Sequence, residues 1–336
     1  MEISMNNISA FPSHIEYPTI DVAILQQARK EARGASIEVQ VLFAKTDYLE
    51  ALHSRVTNVD NAMAAAQFKL TETAQSLDMN ITAFIETLRI YQSELEEVPG
   101  SERQEVLEDI AKVVSDILST VRKEKSTLDS TYTPMTAAID RTETGKFLVQ
   151  MAVDMQRLPD DVLDIEQRKQ ALSVKRDTLT QAMTVIESKG FAEIGKETLL
   201  NAQAISTLTT AGPEAAILTT AIELAQQTMQ KVESFISYNG MREARNVIGK
   251  QMEVLTQSIQ DKNTELRMVE MKAELIKQSH TFEEQRLRYT TEFSKVSAAA
   301  QSFVSTYRAV DAQNEAFVGQ FVVDAQQLAR YMNALT

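Results

Sequence analysis

Cysteine and tryptophan are missing from this 336-residue sequence, and it has only six prolines and nine glycines. Without cysteine there is no disulfide, no thiolate nucleophile and no Cys-ligated zinc, and either redox compartment is permitted. So little proline and glycine favours long helices over a sheet protein. Positive charge is also short: 34 Lys and Arg stand against 47 Asp and Glu, a net charge of −13. That excess excludes nucleic acid as a partner, because phosphates reward clustered Lys and Arg. It also disfavours unaided docking on anionic lipid. No apolar run reaches the roughly 18 residues a constitutive membrane-spanning helix needs. The first residues, Met1 to Pro18, show no basic segment followed by an apolar one. A soluble protein is expected; if it is secreted, that is without a recognisable signal peptide, by a route this sequence does not show.

The motifs of catalysis are missing as well. There is no G-x-S-x-G, H-E-x-x-H, Walker A or G-x-G-x-x-G pattern. His14, His53 and His280 are scattered over three segments and suit surface or packed positions. Glu94, Glu96 and Glu97 suit a solvated helix end, and Asp160-Asp161 a helix cap. Two sequons, at Asn7 and Asn80, mean nothing without secretion through a glycosylating compartment. The fourteen methionines suit core filling. No catalytic residue, metal ligand or cofactor is expected, and no enzyme activity.

What is present is helical periodicity. An irregular arm over 1–18, punctuated by Pro12 and Pro18, leads to Thr19 or Asp21 as a cap. One helix is then expected to run to Val98, with Gly34 its only weak point. Its last part repeats at 3-4 spacing through Leu77, Ile81, Phe84, Leu88, Tyr91, Leu95 and Val98. A helix of about 80 residues spans on the order of 120 Å, so a rod is expected. Pro99-Gly100 stops it, and Ser101 with Gln104 forms a capping box for a second helix to about Thr133. A third is expected from Met135 to Leu158, and Pro159 starts a fourth. That fourth helix carries Lys169 and Arg176 at seam positions, so it is expected to be less buried than its partner. Gly240 and Gly249 mark possible bends. The heptads then resume through Ile248, Met252, Leu255, Ile259, Leu266, Val269, Ala273 and Ile276. A final seam runs from Phe293 to Leu335, interrupted at Asn314 and Asp324. The aromatic seam residues at this end and over Phe84–Tyr91 point to one shared bundle.

One stretch breaks the pattern. From Glu197 to Gln230 there is no Lys or Arg, and the only charges are Glu197, Glu214 and Glu223. Ala211-Gly212-Pro213 divides it, so it reads as a helical hairpin with Gly212 and Pro213 at the tip. At about 100° per residue, Leu200, Ala204, Leu208 and Ala211 share one side of the first arm. Gln203, Ser206, Thr207 and Thr210 lie opposite, while Leu199 and Asn201 fall on the wrong faces. In the second arm Ile217, Leu218, Ala221, Ile222, Leu224, Ala225 and Met229 form a broad apolar face. Thr219, Thr220, Glu223, Gln226, Gln227 and Gln230 form the polar one. Hydroxyls and amides are cheaper than full charges to carry through a bilayer. In a ring of such hairpins the apolar faces meet lipid and the polar faces, with Glu223, line a lumen. The arms reach only about 22 and 26 Å, short of a ~30 Å hydrocarbon core. The same pattern also suits the packed tip of a soluble coiled-coil scaffold or secretion-system helical protein with no membrane activity. On the membrane reading, Ile217→Asp or Leu218→Asp is expected to spare the soluble fold and abolish lysis.

The architecture resembles the α-helical pore-forming toxins of the cytolysin A type. The length, the segment Tyr17-Pro18-Thr19-Ile20-Asp21 and the hairpin from Glu197 onward are most similar to the B component of xenorhabdolysin-type binary toxins. The resemblance implies an all-α, elongated rod of very long helices with a helical-bundle tail, a coiled-coil neck and a membrane-active head. Residues 1–18 are then the arm, 19–160 with 280–336 the tail and neck, and 161–189 with 241–279 the neck. Residues 190–240 are the head, with the tip at 211–214. It further implies a monomer in solution that pairs with a larger A component, forms a hetero-oligomeric ring and inserts into a target-cell lipid membrane.

Overall fold

The structure, a computed structural model, describes residues 15–188, 199–200 in backbone only, 213–230, 236–308, 311 and 314–335. Among the described residues it is all-α but for one two-residue pairing. The helices are α1 (Val22–Thr46), α2 (Glu50–Glu97), α3 (Arg103–Tyr132), α4 (Arg141–Ser188), α5 (Pro213–Thr228), α6 (Tyr238–Thr306) and α7 (Glu315–Asn333). A 3-10 turn, Thr133–Thr136, follows α3. The short strands β1 (Leu199–Leu200) and β2 (Ile236–Ser237) pair antiparallel. The chain divides into two compact units, residues 1–145 with 274–336, and residues 146–273.

In the first unit α2 packs against α1, α3 and α7, as the aromatic seams implied. The heptad positions Leu77, Ile81 and Leu88 are fully buried, as are Ile117, Val121 and Leu128 of α3. Phe282, Phe293, Phe303 and Phe321 complete the core from α6 and α7. Each such side chain contributes about 1.5–3 kcal/mol by leaving water. Two polar clamps lie inside. Asp60 accepts from Arg29 at 2.8 Å and Arg33 at 2.5 Å, tying α1 to α2. Glu283 and Arg286 pair within α6, and their spare atoms hold the 133–140 segment: Arg286 donates to the Met135 carbonyl at 2.9 Å, and the Ile139 amide donates to Glu283 at 3.2 Å.

Several expected boundaries are corrected. The first long helix is two helices. Asp47 and Leu49 both take left-handed backbone conformations, with φ of 48° and 57°. Phe43 stacks on His53 across this corner at 4.1 Å. Gly34, by contrast, is helical. The capping box at Ser101 and Gln104 does not form; α3 starts after Glu102 with no side-chain cap. The fourth helix does not start at Pro159, because α4 runs straight through it. Proline removes one helical hydrogen bond there. The turn is bridged by Arg157, which reaches Asp161 at 2.8 Å and Asp154 at 3.3 Å, and Leu158 is fully buried beside it. The start of α4 is Asp140, whose carboxylate accepts from the Thr142 and Glu143 amides. Gly240 and Gly249 both lie inside α6. Asn314 is no seam defect but the cap of α7, accepting from the Ala316 and Phe317 amides.

In the second unit the middle of α4 and α6 contains no buried residue between Leu158 and Leu179 or between Ile248 and Ala273. Lys169 and Arg176 fall in this stretch, as their seam positions anticipated. The unit's core lies where α4 ends and α6 begins.

Candidate functional site

That core is the seat of α5. Leu179, Ala182, Met183 and Ile186 of α4 meet Ile236 of β2 and Met241, Ala244 and Ile248 of α6. Against them α5 lays Leu218, Ala221, Ile222 and Ala225, each 5% exposed or less, with Ala215, Ile217, Leu224 and Met229 half-buried around them. The apolar face read from the sequence is therefore the buried face. Glu223 and Gln230 are exposed, and Thr219 and Gln226 are half-buried.

Local chemistry sets the ends of α5. Pro213 opens it, where a missing amide proton costs nothing, and Glu214 in the first turn faces the positive end of the helix dipole. Gln230 closes it in a left-handed conformation, φ 51°, with its amide on the Gln227 carbonyl at 3.2 Å. Two threonines bond to their own helix: Thr219 donates to the Ala215 carbonyl at 2.9 Å and Thr228 to that of Leu224 at 2.8 Å. Hydroxyls satisfied by their own helix are not left unpaired when water is withdrawn. The 16 residues of α5 rise about 24 Å, short of a ~30 Å hydrocarbon core. Among the described residues no helix is long and apolar enough to cross a membrane.

Three contacts clasp the base of this unit. The Leu200 backbone pairs with Ile236, and that of Leu199 with Ser237. Ser237 caps α6, its hydroxyl oxygen accepting from the Gly240 amide at 3.1 Å. Tyr238 donates its hydroxyl to Glu187, and this hydrogen bond raises the phenol's pKa above its ordinary value. The strand at Leu199–Leu200 departs from the helix expected there. Ala204, Leu208, Gln203, Thr207 and Gly212 lie outside the described residues. Sequence reasoning found the heptad residue Ile248, but not Ile236, which follows Phe235 directly and carries no periodic signal.

Leu218 also corrects an expectation. At 5% exposure an aspartate there would bury a carboxylate in the seat, so Leu218→Asp does not spare the soluble fold. Ile217, half-buried at the rim, is the position where the charge stays near water.

No protein-family model matches the sequence, and no curated protein matches it. Solved structures do match. XaxB from Xenorhabdus nematophila superposes with a TM-score of 0.81 at 15% identity, covering 95% of this chain and 98% of that one. PaxB from Photorhabdus luminescens gives 0.73 at 16% identity over 96% and 97%. A chain of the YaxAB pore complex gives 0.64 at 17% identity over 96% and 100%. These neighbours are of the xenorhabdolysin B type, and this chain shares their fold over about 95% of its length.

Proposed function

We propose that this chain is the smaller, B-type subunit of a binary pore-forming toxin. It pairs with a larger A component, assembles with it into a ring, and releases a helical hairpin into a target-cell membrane. The observation that carries the reading is the seat of α5. A helix whose only charges are glutamates, with one continuous apolar face, is stowed on a small cluster at the ends of two long helices. The full-length likeness to XaxB supports it, as do the neighbouring structures described as pore complexes.

In this reading residues 190–240 are the head, with the tip at 211–214. Residues 161–189 with 241–279 form the long neck helices, and 19–160 with 280–336 the tail and neck. On insertion Leu200, Ala204, Leu208, Ile217, Leu218, Ala221, Ile222 and Ala225 face lipid, and Gly212-Pro213 forms the tip. Gln203, Thr207, Thr219, Glu223, Gln226 and Gln230 face the lumen, where Glu223 favours cations. Arms this short suit an insertion supported by the companion rather than made alone.

The test is dye release from liposomes by the chain alone, then with a larger, helix-rich A-type component. Release is expected only with both, and Ile217→Asp abolishes it while circular dichroism stays native. Full release by folded I217D sinks the proposal. The buried face of α5 equally fits a soluble coiled-coil scaffold with a packed tip, and that reading expects no release under either condition.

A further inference from the structure

Helix α4 is apolar on two opposite sides. Its buried side carries Met151, Leu158, Leu179, Met183 and Ile186. On the other side stand Val149, Val153, Leu163 and Val174, which are 69%, 52%, 53% and 57% exposed. At about 100° per residue these four fall within roughly 80° of arc, a stripe about 38 Å long. The positions between them, Ala152, Gln156, Gln167 and Ala171, are exposed and uncharged. A single exposed valine means nothing, but an ordinary surface helix has one apolar stripe, not two. The stripe also borders a groove: Leu163, Gln167 and Gln170 line it from α4, Met252 and Ile259 from α6. Since α4 and α6 bury no residue fully along this stretch, the pair has the form of a coiled coil with room for a further helix.

The charges on the stripe choose the occupant. Asp160 and Asp164 lie at its midpoint, both exposed, and Asp164 pairs with Arg168 of its own helix at 2.5 Å. A second copy docked about a two-fold axis at that midpoint would set these carboxylates against themselves. Like charges so placed cost affinity. We infer that this face docks a long amphipathic helix of a different chain, with apolar residues at 3-4 spacing and basic residues opposite Asp160 and Asp164. The inference stands on α4 itself and not on membrane insertion. In the assembly proposed above, the companion subunit is the chain that would bring such a helix.

Two measurements test it without lipid or companion. Sedimentation equilibrium of the full chain reads self-association; a monomer is expected, and a dimer abolished by L163E overturns the inference in favour of a second copy. A labelled helical peptide of about four heptads, with Leu and Ile at 3-4 spacing and a Lys pair at its centre, is then titrated with the chain by fluorescence anisotropy. Saturable binding is expected, weakened at least about tenfold by L163E or by D160K/D164K, with folding checked by circular dichroism. The same peptide with a central Glu pair binds the natural chain about tenfold more weakly and recovers on D160K/D164K. No binding, equal binding of the two peptides, or binding unchanged in L163E overturns it. Failure of the liposome experiment leaves these readouts untouched, so the two proposals fall separately.

Discussion

Tyr307 donates its hydroxyl to Asp324 at 2.5 Å across the corner between α6 and α7, and both side chains are fully buried. Gln320 gives the same carboxylate a second donor at 3.0 Å, and the Tyr17 hydroxyl reaches the Asp324 carbonyl at 3.1 Å. Around them Tyr307 packs edge-on to Phe321 at 4.8 Å and Phe317 at 5.6 Å. A carboxylate in such a place depends on its donors. Tyr307→Phe is therefore expected to cost about 1–3 kcal/mol, the price of a buried carboxylate that loses one of its donors. Adding Asp324→Leu restores the apolar seam and recovers much of that loss. Urea denaturation of both variants reads the difference, and an additive double mutant counts against the coupling.

The same burial sets an alkaline limit. Burial, together with Asp324 for two of them, raises the phenols of Tyr17, Tyr289, Tyr307 and Tyr331 above the ordinary value of 10.0, Tyr331 to about 12. A raised folded pKa means that stability is whole below pH 10, where both states are neutral. Above it the unfolded chain ionises first, and stability falls through the folded pKa. Each such tyrosine steepens the loss by about 1.4 kcal/mol per pH unit in that window. Thermal melts from pH 8 to 11.5 should show a decline starting near 10, flattened in Tyr331→Phe. A melting temperature level through pH 11 contradicts this.

Glu283 and Arg286 are 4% and 3% exposed, so each charge relies on the other. Glu283→Ala leaves the guanidinium buried with only the Met135 carbonyl, and also deprives the Ile139 amide. A loss of about 3–5 kcal/mol is expected. Glu283→Ala with Arg286→Met removes the orphaned charge and should cost clearly less. A double mutant as unstable as the single one refutes the account.

These residues also show how far the sequence could be read. Leu77, Ile81 and Leu88 repeat at helical spacing, and the repeat alone assigns them to a buried seam. Asp324 breaks a seam on the same criterion, and only the fold brings Tyr307 to satisfy it. The corner at Asp47–Leu49 has neither glycine nor proline; packing such as the Phe43–His53 stack imposes it against local preference. Pro159 fails in the other direction, since a strong local breaker is overridden where Leu158 is buried and Arg157 spans the turn. At the candidate site the apolar face of α5 was legible from its period. Its seat was not, because it joins residues from α4, β2 and α6 that share no local pattern.

Gly240 gives the most local test of that seat. It is the third residue of α6, and a Cβ there would lie 2.8 Å from Ile236 Cγ1. Ile236 is 2% exposed and belongs to the cluster holding Leu218 and Ile222, so it has little room to retreat. Helix preference favours alanine over glycine by up to about 1 kcal/mol. Overpacking opposes it with about 1–3 kcal/mol, so Gly240→Ala is expected to destabilise on balance. Ile236→Val should relieve part of the clash, giving a coupling of at least about 0.5 kcal/mol between the two sites. Because the strain falls within one unit, amide exchange should quicken in α5 and leave α2 unchanged. If α5 is the stowed arm of a pore, G240A should also lyse faster with its companion, since less burial opposes release. Equal quickening of α2, or protection of α5 unchanged in G240A, would separate Gly240 from the seat.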